Sequence, residues 1–355
     1  MNPRTPSEST RTSFVAVAHS YRNVGRPTAA LITVGGRGFA NAFPCVSTID
    51  DGDMMVPAQG NITAARATAI AANRGAVAVA FEDEDGVQMY ATHAMPTCTM
   101  LIPKGPMHPF PIERRQSLAF DCMGVHLATA FQNGTVAVWR VGQSLDLQPL
   151  VSTLPKFDKG SVVTAVTWKA DDENVFVTAC DNGTLEGFDT RTACNVATLT
   201  FPQLNHKSGN PPLCVATCPV DHTNTVVAGY TNGQHAQWDT RKFDTPTIVV
   251  AHEKKKSKVM CASFTPCAKG VVTGADDGTL AVWSASSGER LVTLGGHTHA
   301  VVGMEFNPVH SGILVTCSED GTVAQWTVPS PLEAAAIAAA QATTPTSPKD
   351  AVRWK

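Results

Sequence analysis

The chain has 355 residues, 43% of them hydrophobic and 16% charged, with 27 Lys and Arg against 30 Asp and Glu. That near-balance excludes a general attraction to nucleic acid or anionic membrane, and the apolar content excludes disorder for most of the chain. No apolar run approaches the ~20 residues of a membrane-spanning helix, and ten scattered cysteines without a C-x-x-C pair read as buried free thiols.

Residues 1–12 read as an N-terminal extension. They carry Pro3, Pro6 and many hydroxyls, and lack both the apolar core of a secretory signal and the amphipathic pattern of an organelle presequence. Phe14–His19 is the first strand-like run. From there a unit repeats. Asn133-Gly134, Asn182-Gly183, Asn232-Gly233, Asp277-Gly278 and Asp320-Gly321 recur at intervals of 43–50 residues, each glycine followed five residues later by Trp139, Phe188, Trp238, Trp283 or Trp326. Stepping back at the same interval reaches Gly86 and Gly38, two weaker copies. Asn-Gly and Asp-Gly supply the positive φ angles of a tight hairpin. Before each turn stands a β-branched run, such as Val175–Cys180, Gly270–Gly274 or Ile313–Cys317. A further run lies upstream (Val162–Trp168, Val259–Phe264, Val301–Phe306), and a more polar one downstream (Glu289–Leu294).

Four short strands per ~45 residues make one antiparallel blade, which cannot bury both faces alone and must stack on its neighbours. The expected fold is therefore all-β: a seven-bladed β-propeller of four-stranded antiparallel blades over residues 13–328. Residues 329–355 form a tail, with a capping box at Ser330–Glu333, an Ala-rich helix over Ala334–Ala342, and Thr344-Pro345 and Ser347-Pro348 as possible phosphorylation dipeptides.

The turn-to-Trp signature resembles the WD-repeat family. The resemblance implies structural tetrads of His, Asp, Thr and Trp that tie strands within a blade: His297, Asp320, Thr316 and Trp326, and one blade earlier His252, Asp277, Thr273 and Trp283. Two aromatic-Asp-x-Arg boxes, Phe188–Arg191 and Trp238–Arg241, resemble the docking signature of substrate receptors for cullin-type ubiquitin ligases, which makes Arg191 and Arg241 candidate docking residues. The words Pro212–Pro219, Trp238–Arg241, Asp244–Pro246, Ala251–Glu253 and Thr316–Gly321 resemble the WD-repeat nucleoporins of the outer-ring, or Y-complex, scaffold. Peroxisomal import receptors and methyltransferase partners of the WD family share some of them.

Catalytic signatures are missing from the sequence. Glu82–Asp85 lacks the spacing of a calcium loop. Neither His297–His299 nor Cys214/Cys218 has further ligands at zinc spacing. Gly35–Gly38 has no helix behind it to present amides to a phosphate. Lys254, Lys255 and Lys256 form the one basic cluster, read as a solvated loop or a docking patch for an acidic partner or nucleic acid. The expected function is a non-catalytic scaffold that binds other proteins of a stable complex, with no cofactor, metal, small-molecule substrate, nucleic acid or membrane insertion. A nuclear-pore subunit at the nuclear envelope or in the nucleus leads. A ligase receptor, one of the other WD roles in the cytoplasm, and a propeller enzyme are the alternatives.

One point concerns ring closure. Trp326 ends the third strand of the last blade, so a fourth strand must come from elsewhere, because an open edge invites wrong pairing. The residues before Phe14 are the first expectation, the tail run Ala351–Trp354 the second, and a partner's strand the third.

Overall fold

The computed structural model describes residues 115–131, 134–142, 161–191, 210–220, 224–242, 244–252, 257–307, 312–320 and 322–329, and outside these only the strands named below. The described strands form seven antiparallel sheets in chain order. Blade 1 is β1 (Thr12–Tyr21), β2 (Pro27–Gly35), β3 (Phe39–Phe43) and β4 (Ala58–Asn61). Blade 2 is β5 (Ala67–Asn73), β6 (Ala76–Phe81) and β7 (Val87–Ala91). Blade 3 is β8 (Arg115–Phe120), β9 (His126–Phe131), β10 (Val136–Val141) and β11 (Leu147–Val151). Blade 4 is β12 (Val163–Trp168), β13 (Val175–Cys180), β14 (Leu185–Asp189) and β15 (Leu199–Phe201). Blade 5 is β16 (Pro212–Thr217), β17 (Thr225–Tyr230), β18 (Gln234–Asp239) and β19 (Ile248–Ala251). Blade 6 is β20 (Val259–Phe264), β21 (Gly270–Ala275), β22 (Thr279–Ser284) and β23 (Arg290–Gly295). Blade 7 is β24 (Val301–Phe306), β25 (Ile313–Ser318), β26 (Val323–Thr327) and β27 (Val352–Trp354).

The first strands of successive sheets lie side by side, β1 by β5, then β8, β12, β16, β20 and β24, and β24 returns to β1. The apolar clusters explain this arrangement, because each one spans two sheets. Val138 of blade 3 packs with Val166, Trp168 and Phe176 of blade 4. Val177 and Leu185 of blade 4 pack with Val215, Tyr230 and Trp238 of blade 5. Val227 of blade 5 meets Phe264, Val271 and Trp283 of blade 6. Val272 and Leu280 of blade 6 meet Met304, Leu314 and Trp326 of blade 7. The second strands are buried along almost their whole length, whereas the outermost β19 and β23 alternate between half-buried and exposed.

The turn glycines are where the repeat begins in physical terms. Gly134, Gly183, Gly233 and Gly278 all have φ between 79° and 91°, the left-handed region that favours glycine. A Cβ at Gly134, Gly233 or Gly278 would also collide with the carbonyl of Ser161, Ser257 or His297, from the segment leading into the next blade. The residue before the glycine is Asn or Asp for a separate reason. Its side-chain oxygen accepts the amide two residues on: Thr184 to Asn182 at 2.9 Å, Gln234 to Asn232 at 3.0 Å, Thr279 to Asp277 at 3.0 Å and Thr322 to Asp320 at 2.9 Å. Gly38, Gly86 and Gly321 lie outside the described residues, as do the Ala-rich helix and the Thr-Pro and Ser-Pro dipeptides of the tail.

Ring closure corrects the first expectation. β27 pairs antiparallel with β26, placing Trp354 opposite Val323, Arg353 opposite Ala324 and Val352 opposite Gln325. The fourth strand of blade 7 therefore comes from the tail and not from the residues before Phe14. The physical reason lies in composition. Val352 and Trp354 occupy alternate register positions with strand-favouring side chains, whereas Pro3 and Pro6 cannot donate to a ladder. The first strand is also longer than expected, from Thr12 to Tyr21.

Candidate functional site

Blade 7 carries the most complete polar constellation. His297 precedes β24, Thr316 lies on β25, Asp320 sits in the turn after it and Trp326 is on β26. The Trp326 indole N–H donates to Thr316 Oγ1 at 2.7 Å, and His297 Nε2 lies 2.8 Å from the same oxygen. His297 Nδ1 is 3.0 Å from Thr322 Oγ1 and 3.5 Å from Asp320 Oδ2. A carboxylate only accepts, so the proton belongs on Nδ1, and Nε2 accepts from the Thr316 hydroxyl. Burial works to raise the Asp320 carboxyl, but hydrogen bonds from Thr322 and Thr298 and the nearby His297 ring hold it down to about 2.

A hydroxyl, an imidazole and a carboxylate in line have the order of a nucleophilic triad. Two features prevent that chemistry here. Thr316 is fully buried, and its oxygen already accepts the indole N–H of Trp326. No carbonyl carbon can reach it. The constellation ties a loop, a turn and two strands together.

Blade 6 repeats it. His252 Nε2 is 3.1 Å from Thr273 Oγ1, and the Trp283 N–H donates to that oxygen at 2.8 Å. Asp277 accepts from Ser257 Oγ at 3.1 Å. Blade 3 has a third tie, in which Trp139 Nε1 donates to Thr129 Oγ1 at 3.2 Å. The sequence signal for this tie was the Thr ten residues before each Trp, readable without any histidine. In the same blade Asp121 accepts from Val125 N at 2.8 Å and meets His126 Nδ1 at 3.1 Å, and that hydrogen bond raises His126 above its usual value.

Arg191 and Arg241 do not share one cluster; each closes its own loop. Arg191 reaches Asp189 with Nε at 2.9 Å and Nη2 at 2.6 Å, and Asp172 at 3.1 Å. Arg241 reaches Asp239 at 3.0 and 2.7 Å. Both arginine side chains are more than half exposed, 57% and 69%. Their hydrogen bonds lower Asp189 and Asp239 below the usual carboxylate range. Lys254, Lys255, Lys256 and Glu82–Asp85 lie outside the described residues. Cys214 and Cys218 are free, burial pushes the Cys214 thiol up to about 12, and no group of three metal-ligating side chains occurs among the described residues. One acid was overlooked. Glu305, on the inner strand β24, reaches solvent but is closely surrounded by protein, and that desolvation raises its carboxyl to about 7. The register-equivalent residues of the neighbouring inner strands are Thr167, Ala216 and Ser263.

A family model described as "Nucleolar protein 10-like, N-terminal domain", a β-propeller, matches residues 147–339. The chain belongs to this family. Curated relatives place it more broadly among WD-repeat propellers. Periodic tryptophan protein 2 of Arabidopsis thaliana is 34% identical over 94 residues, 26% of this chain and 10% of the relative. Histone-binding protein MSI1 of Saccharomyces cerevisiae is 24% identical over 208 residues, 56% of this chain and 47% of the relative. WD repeat-containing protein 91 of Danio rerio is 22% identical over 222 residues, 59% and 29%. The matched stretches thus span at most about half the length of these relatives. The WD-repeat family to which they belong is one of protein-interaction scaffolds, generally non-catalytic.

Proposed function

We propose that the protein is a non-catalytic scaffold that binds other proteins within a nuclear multi-protein assembly. The observation that carries this reading is the family match, to a propeller domain named for a nucleolar protein. The internal use of the Thr316–His297–Asp320 set agrees with it, since this triad-like arrangement is spent on holding blade 7. Within the nucleus, the wording of the late blades favours an outer-ring subunit of the nuclear pore, and the family description favours a nucleolar particle. The ligase-receptor reading is weaker, because Arg191 and Arg241 each brace a local aspartate.

Localisation of a tagged full-length copy separates these readings. A punctate nuclear rim supports the pore subunit, and nucleolar signal supports the second reading. Cytoplasmic or peroxisomal signal that persists at native expression overturns the nuclear assignment.

A further inference from the structure

The first strands of the seven sheets close into a ring and so enclose a central channel. Their sequences hold almost no charge. Of Lys, Arg, Asp and Glu, β1, β5, β12, β16 and β20 carry none, β8 carries Arg115 and β24 carries Glu305. These two do not face each other. Arg115 opens β8 at the register position of Val301, four residues before that of Glu305, or roughly 13 Å along a strand. Blade 3 also stands three blades from blade 7 by the shorter way round the ring.

Glu305 differs from its register equivalents. Ala119, Thr167, Ala216 and Ser263 take its place in blades 3 to 6, all small and half-buried. Glu305 is exposed, while Met304 and Phe306 on either side of it are buried in the cluster shared with blade 6. Strand alternation therefore puts Glu305 on the other face, at the seam where β24 meets β1. A residue that reaches solvent yet is closely surrounded by protein lies in a concavity, and at this seam the concavity is the channel. Desolvation there raises the carboxyl to about 7, with no charged neighbour among the described residues. The titratable groups on the strands packed against β24 are His19 of β1, Cys261 of β20 and Cys317 of β25, and none is a lysine or arginine.

We infer that the channel at Glu305 receives the ammonium group of a lysine side chain from a partner protein. A cation seated beside the carboxylate offsets its desolvation. One carboxylate, with the Thr167 and Ser263 hydroxyls at equivalent positions, suits the three donors of an ammonium; the five-donor fork of a guanidinium needs more acceptors. A single charge pair holds a free amine only weakly, so the affinity comes from the protein that carries the lysine, and this step rests on the scaffold reading above. Glu305 is the next-to-last residue of β24, so the lysine enters from the end of the ring that carries the β24–β25 loop.

The test has two parts. In the first, full-length protein isotope-labelled at its glutamate carboxyls is titrated with n-butylammonium and followed by NMR, the Glu305 resonance being assigned by its loss in Glu305→Gln. The expected result is a saturable shift of that resonance and a titration midpoint lowered by about one unit, as for a carboxylate given a neighbouring cation. No saturable shift, or an equal shift at every glutamate, would overturn the site. In the second, the complex purified with the tagged full-length chain is treated with a carbodiimide, which joins a carboxylate to an amine in contact with it, and the linked peptides are mapped. The expected product joins Glu305 to a lysine of another protein. A link from Glu305 to a lysine of its own chain or to a free polyamine, or an intact complex with no link at Glu305, would overturn the inference and leave the scaffold reading in place. A chain that purifies without partners would defeat both.

Discussion

Blades 5 and 6 share one register and differ in their interiors. In blade 6, Thr273 ties His252 to Trp283, and Leu280 and Val282 fill the apolar positions of β22. Blade 5 has Ala228 where Thr273 stands, so no threonine hydroxyl faces Trp238 at the equivalent position. At the positions of Leu280 and Val282 it carries His235 and Gln237. Both are buried, and both His235 ring nitrogens and Gln237 Nε2 have no hydrogen-bond partner among the described residues. The His235 ring lies 4.8 Å from the Trp283 ring across the blade boundary. The same strand template thus tolerates either a satisfied polar tie or an unsatisfied polar pair, and these have opposite consequences for stability. A satisfied network rigidifies, whereas an unpaired buried group retains its desolvation cost.

The largest expected effect comes from breaking a tie. Thr316→Val removes the oxygen shared by His297 and Trp326 and leaves two buried groups without that partner. Thermal or urea unfolding should show a loss of about 3 kcal/mol, from roughly 1–3 kcal/mol per unsatisfied group. Thr273→Val should lose a similar amount through His252 and Trp283. Ala228→Val, with no tie to break, should lose less than either.

His235 sharpens the comparison through pH. Burial, and secondarily the neighbouring His252, lowers its value to about 4 from 6.5. The unfolded chain binds the proton more readily, so this contribution to stability is complete above about 6.5 and is lost as pH falls toward 4, by on the order of 3 kcal/mol. His235→Leu should raise stability at neutral pH and flatten the decline between pH 6.5 and 4, measured by urea unfolding across that range. An unchanged slope would mean that His235 is already solvated or paired in the folded protein.

His126 should show the opposite sign and a smaller effect. Its value is raised, first by the hydrogen bond to Asp121 and against the effect of burial. Its contribution is full below about 6.5 and is lost as pH rises through the folded value. In Asp121→Asn that decline on the alkaline side should vanish from the unfolding profile. Smallest of all, Arg191→Ala with Arg241→Ala should leave the melting temperature unchanged, because exposed ion pairs contribute little.

Much of this was legible in the sequence for a local reason. Asn-Gly and Asp-Gly turns, a β-branched run before them and an aromatic five residues after are all short-range, so strands β12–β14 and β20–β26 could be read directly. The His, Thr and Trp of blades 6 and 7 were readable through family resemblance, with the Thr ten residues before the Trp in both blades and the His 21 and 19 residues before the Thr. The tail strand was harder to place. Val352–Trp354 pairs across twenty-four intervening residues, and composition alone could not rank it above the N-terminus. The pair His235 and Gln237 was also missed, because inside an otherwise regular repeat word their burial follows from the neighbouring blade and not from their own segment.

The central claim is that this propeller works by holding other proteins, and it is tested most directly by purifying the tagged full-length chain from nuclear extract at native expression and measuring the mass and stoichiometry of what elutes. The account predicts a complex several times the 37.5 kDa of the chain, with the same nuclear proteins recovered in fixed ratio at moderate salt. Elution at the mass of the free chain, with no protein in fixed ratio to it, would contradict the account.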